Sequence, residues 1–136
     1  MSLRFYQVAV DARDPAALAR FWAEALGYRV LLENEEEVVI GVDETAYPGL
    51  VFVPVPEAKS GKNRLHLDLA PDDQDAEVAR LLDLGATVVD VGQSADVPWQ
   101  VLADPEGNEF CVLSPKSSLT DSWTASAGYV TPPRVT

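Results

Sequence analysis

The 136-residue chain has one cysteine, Cys111, one histidine, His66, and only 10 lysines and arginines against 22 aspartates and glutamates. A lone cysteine cannot close an intramolecular disulfide, and it cannot build a Cys-rich zinc module. The net charge of −12 repels phosphate backbones and anionic lipid surfaces, which excludes nucleic acid and membranes as expected partners. No apolar run approaches the roughly 20 residues of a membrane span, and Arg4 to Gln7 would break a signal-peptide core. The expected location is therefore the cytoplasm. The 47% hydrophobic and 24% charged fractions are those of a globular chain, and the length suits one domain with a core.

Local patterns place the elements. Leu3 to Val10 is rich in β-branched and aromatic residues and reads as a strand. Asp14-Pro15 supplies an N-cap and a first helical position, Leu18, Phe21, Trp22, Ala25 and Leu26 share a helical face, and Gly27 stops the helix. Strands are expected over Arg29 to Leu32, Glu37 to Val42 and Leu50 to Val55, with Glu33 to Glu37 a solvated hairpin turn. After a connector the order recurs. Arg64 to Leu69 alternates, with Leu65, Leu67 and Leu69 on one face and Arg64, His66 and Asp68 on the other. A helix over Asp73 to Leu84 carries a Val78, Leu81, Leu82 stripe, and strands follow over Thr87 to Val91, Trp99 to Ala103 and Glu109 to Leu113.

The recurrence is an internal repeat. Gln7 aligns with His66 at an offset of 59, Leu26-Gly27 with Leu84-Gly85 at 58, and Ala19-Arg20 with Ala79-Arg80 at 60. Two βαβββ modules follow, about 1–56 and 63–116, with a linker over 57–62 and a Ser/Thr/Pro-rich tail over 117–136. Neither module has helix enough to cover a sheet alone. The fold class is thus α+β, a curved mixed sheet or half-barrel with both helices on its outer face.

These residues carry a resemblance. Asp14-Pro15, Phe21-Trp22, Leu26-Gly27, the run Lys62 to Leu69, and Asp104-Pro105-Glu106-Gly107-Asn108-Glu109-Phe110 resemble the vicinal oxygen chelate superfamily over about residues 1 to 116. The likeness is to its glyoxalase-like branch, of the glyoxalase/bleomycin resistance protein/dioxygenase type. It implies a pocket under the concave sheet face, between the two modules. In metal-binding members four side chains converge there, from the first and last strand of each module. The first-strand positions fall on Gln7 and His66. The last-strand positions, where carboxylates are expected, fall on Cys111 and, 59 residues earlier, on Phe52.

With two carboxylates missing, no tightly held metal is expected. A divalent ion (Zn, Ni, Mn or Fe) on Gln7, His66 and a leaning Glu109 is the competing arrangement, and a Gln7, His66, Cys111 set is another. Glu109 and His66 are the candidate catalytic acid or base, with Asp68 beside them. Gln7, Phe52, Arg64, Asp68, Trp99 and Cys111 are the candidate substrate-binding residues. Two functions compete: an enzyme (lyase, isomerase or dioxygenase) acting on a small oxygenated or carbonyl-bearing molecule, and a metal-free protein that sequesters an antibiotic or senses a metabolite. The superfamily's habit of pairing implies a homodimer.

Overall fold

The computed structural model describes residues 2–89 and 97–121. Trp123 and Tyr129 of the tail, and the end of the strand expected over Thr87 to Val91, lie outside the described residues. The chain divides into two compact units, one up to Lys59 and one from Ser60 onward.

The first unit runs β1 (Gln7–Ala12), α1 (Pro15–Leu26), β2 (Arg29–Glu33), β3 (Val38–Gly41) and β4 (Gly49–Pro54). Its sheet has the order β1-β4-β3-β2, with β1 parallel to β4 and the other neighbours antiparallel. The second unit repeats the plan with β5 (Asp68–Leu69), α2 (Gln74–Leu84), β6 (Thr87–Val88), β7 (Gln100–Ala103) and β8 (Glu109–Val112). Its order is β5-β8-β7-β6, again with a single parallel pair, β5 with β8. The fold is α+β: two four-stranded mixed sheets, neither closed, each with one helix.

Both helices start and stop as local chemistry requires. The carboxylates of Asp14 and Asp73 each accept the backbone N–H three residues on, at 3.1 Å. Asp75 and Glu77 add negative charge at the positive end of α2. Gly27 closes α1 in the left-handed region at φ 69°, its N–H donating to the Ala23 carbonyl. α1 packs across β3 and β4, burying Leu18, Phe21 and Trp22, and the alternate residues Val38, Ile40, Leu50 and Phe52 form the core beneath. In the second unit Leu81 of α2 and the alternate set Leu102, Phe110 and Val112 are buried. Gln74 ties the start of α2 to the sheet through its side-chain amide, which donates to the Pro98 and Val112 carbonyls. Of the expected α2 stripe, Leu82 is exposed.

Two strands differ from expectation. β1 begins at Gln7, since its partner β4 begins at Gly49, and Leu3 to Tyr6 remain exposed despite their apolar character. β5 spans only Asp68–Leu69 instead of Arg64 to Leu69. Its ladder with β8 reaches back to the Leu67 carbonyl, which accepts from Cys111 N–H at 2.9 Å. Upstream, Asn63 N–H donates to the Glu109 side chain at 2.9 Å, so a carboxylate takes the place of a backbone acceptor. Leu65 is accordingly 89% exposed, against its expected apolar face.

Candidate functional site

The second unit's sheet presents two unlike faces. In β8, Phe110 and Val112 face one way, into the core with Leu81, whereas Glu109 and Cys111 face the other. Register extends that second face across the sheet: Cys111 lies opposite Val101 of β7 and opposite Asp68 of β5. Trp99, Val101 and Cys111 form a buried apolar cluster, with Val89, Val97 and Leu113 packed against it.

Polar groups gather at the edge of this cluster. His66 Nδ1 lies 2.9 Å from Asp68 Oδ1, with the two side chains 21% and 27% exposed. Asp68 is also hydrogen-bonded to the Cys111 thiol. Donor atoms of His66, Asp68 and Cys111 all lie within 4.8 Å of one another. Among the described residues no other group of three His, Cys, Asp or Glu side chains converges in this way.

Burial sets the charge states. Desolvation raises the Asp68 carboxyl above its ordinary value, opposed by the His66 ring and by hydrogen bonds from His66 and Cys111. The Cys111 thiol is pushed up to about 12, first by desolvation and then by the neighbouring Asp68 charge. Cys111 is therefore a neutral thiol at physiological pH, and not a standing nucleophile. An ionised Asp68 favours the tautomer in which Nδ1–H of His66 donates to it, leaving the lone pair on Nε2.

Glu109 has a different engagement. It is buried, and its carboxylate accepts the Asn63 N–H. The turn before it is built by Asp104, whose carboxylate accepts the N–H groups of Glu106 and Asn108 and the Asn108 side-chain amide. Gly107 at φ 90° completes that turn. The Asp-Pro-Glu-Gly-Asn signature thus sets the start of β8 and, with it, the position of Cys111.

The remaining candidates separate. Arg64 is exposed and precedes β5, so strand alternation does not fix it on the face of His66. In the first unit Gln7 opens β1 opposite Gly49, whereas Phe52 lies opposite Val10 and Val38. Gln7 and Phe52 therefore occupy opposite faces of their sheet, which corrects the expectation that both face one cavity. Matching Asp68↔Cys111 with its counterpart Ala9↔Val51 shows the reason: the β8 offset is 60, so Cys111 corresponds to Val51.

A family model described as a glyoxalase-like domain matches residues 7–113. The chain belongs to this family. Glyoxalase-like relatives among solved structures include a glyoxalase/bleomycin resistance protein/dioxygenase family enzyme from Burkholderia phytofirmans PsJN. It is 20% identical, with a TM-score of 0.64, covering 79% of this chain and 95% of that one. An antibiotic binding protein, TnmS3, from Streptomyces sp. CB03234 is 22% identical with a TM-score of 0.57, over 85% of this chain and 99% of that one. The trypanothione-dependent glyoxalase I of Leishmania major is 16% identical with a TM-score of 0.62, over 83% and 87%. At these identities the likeness shows the glyoxalase-like fold alone. No curated protein matches the chain. Among the described residues, no helix is long and apolar enough to cross a membrane.

Proposed function

We propose that this glyoxalase-like protein binds a small oxygenated or carbonyl-bearing molecule against the Trp99–Val101–Cys111 face, and that His66 moves a proton on it. The observation that carries this reading is the 2.9 Å His66–Asp68 pair at the border of an apolar cluster. Small-molecule sites combine apolar walls with a few placed polar groups, and here an indole and a valine adjoin an imidazole and a carboxylate. Asp68 orients the ring by accepting from Nδ1–H, so Nε2 is the group free to accept a proton from a carbon next to a carbonyl. Glu109 is assigned the anchoring of Asn63 in place of catalysis. That engagement also favours the second reading, a protein that binds its ligand without turning it over, because it takes one of the two candidate acid–base groups away from catalysis.

The test has two readouts. A panel of small 2-oxoaldehydes and hydroxyketones should raise the melting temperature. In D₂O the protein should exchange the proton beside the carbonyl, with loss of exchange in His66→Ala and none in Leu65→Ala, whose side chain is exposed. Thermal stabilisation without exchange supports the binding-only reading. Absence of both refutes the proposal.

A further inference from the structure

We infer that Lys62 is the anion-holding group of this site, and that the carbonyl compound it takes is a monocarboxylate, with a 2-oxo acid as the simplest case. The inference rests on the carbonyl-binding reading above and names the class of molecule within it.

Charge distribution is the first observation. In a chain of net charge −12, the stretch from Ala58 to Leu67 carries Lys59, Lys62, Arg64 and His66 and no aspartate or glutamate. An acidic protein repels anions over most of its surface, so a cationic stretch that runs into the His66–Asp68 pair marks where an anion can approach. Lys62 is exposed, and its Nζ makes a long hydrogen bond, 3.4 Å, to the Asn63 carbonyl. Among the described residues no carboxylate forms an ion pair with it. The ammonium therefore keeps donors for a ligand.

Position is the second. The backbone N–H of Asn63, next to Lys62, donates to Glu109 Oε1 at 2.9 Å, and the Asn63 side-chain amide reaches Asn108 Oδ1 at 3.5 Å. These contacts fasten Lys62 beside the start of β8. Glu109 and Cys111 share a face two residues apart, roughly 7 Å along the strand, a span suited to the flexible four-carbon stem of a lysine. The charge does act on that face. Burial raises the Cys111 thiol, the Asp68 charge raises it further, and the Lys62 ammonium opposes both.

Asp68 limits how much negative charge can enter. Its carboxylate lies 2.9 Å from His66 on the same border, so it repels a dianion, whereas one ammonium balances one negative charge. In a 2-oxo acid the carboxylate and the exchangeable carbon flank the carbonyl. Lys62 then holds one end and leaves the other to His66.

The test compares 2-oxobutanoate with its neutral methyl ester by calorimetric titration of the full chain at low and high salt. The acid should bind about fivefold or more tighter than the ester, and high salt should narrow that gap. Lys62→Gln should bring the acid down to the ester's affinity and leave the ester's unchanged, while Lys62→Arg, which keeps the charge, should keep the preference. Arg20→Gln removes the same charge from an exposed position on α1 and should leave both affinities unchanged. Lys62 is exposed and its replacements spare the Asn63 N–H contact, so the variants should fold as wild type does. Equal binding of acid and ester, a preference that survives Lys62→Gln, or an equal loss in Arg20→Gln would each overturn the inference. Ester binding in those cases leaves the carbonyl reading intact. Failure of acid and ester alike to bind overturns both.

Discussion

Replacing Cys111 with alanine should change the slope of the stability–pH curve as well as its height. The folded thiol keeps its proton up to about 12, against an ordinary value of 9.0. Between those values the unfolded chain has released a proton that the folded chain still holds. The unfolded state then binds fewer protons, so stability falls as pH rises, by about 1.4 kcal/mol per pH unit. By pH 10.5 the loss is about 2 kcal/mol, and over the whole window at most about 4 kcal/mol. Below pH 9 both states are protonated and the thiol contributes no slope.

The assay is urea unfolding of wild type and Cys111→Ala at closely spaced pH values from 8 to 11. Other groups that titrate in this range do so in both proteins, so the difference between the two curves isolates the thiol. Alanine leaves a constant offset from the lost sulfur volume, and the wild-type advantage should shrink steadily above pH 9. Parallel curves throughout would refute the claim that burial and the Asp68 charge hold the thiol neutral. Asp68→Asn in the same assay should move the onset of ionisation in the folded state downward, because it removes the neighbouring charge but not the burial.

Asp68→Asn also tests the acid range: a raised carboxyl makes wild type lose stability as pH climbs from 3.8 through the folded value, so the variant should gain on wild type there and keep that gain at neutral pH. Circular dichroism melts at pH 3 and 7 check this, and a variant equally disadvantaged at both would contradict it. Leu81→Ala should cost about 2–5 kcal/mol in urea unfolding, as Leu81 is 1% exposed and is the buried anchor of α2. Gly27→Ala should cost about 1 kcal/mol in a thermal melt although nothing lies within 4 Å of an added Cβ, because the penalty resides in the φ of 69°.

Much of the fold is legible in the sequence because helix signals are local. Asp14-Pro15 and Asp73 at the starts, the apolar face of α1, and Gly27 and Gly85 at the stops act within a few residues of one another. Strand limits are not local. Leu3 to Tyr6 have strand composition, yet a strand exists only where a partner supplies a ladder, and β4 first pairs at Gly49. Arg64 to Leu69 alternates as a half-buried strand would, yet β8 pairs only with its end. The Glu109 carboxylate, which takes the Asn63 N–H, lies 46 residues away along the chain.

The site was legible in type and not in register. A repeat offset of 59 sets Asp68 against Ala9, but carried to the last strand it selects Phe52, one residue from Val51, the register partner of Ala9. In a sheet one residue is a whole face, so the slip exchanges a core residue for a member of the other face. The offset of 60 between Ala19-Arg20 and Ala79-Arg80 already shows that the repeat spacing drifts. Asp68 illustrates the converse. His66 lies two residues before Asp68, just ahead of β5, and the two meet through a local 2.9 Å contact, so that pairing needs no long-range information. Cys111 is joined to them in the sequence only by the family resemblance; in the structure the parallel pairing of β8 with β5 sets it opposite Asp68.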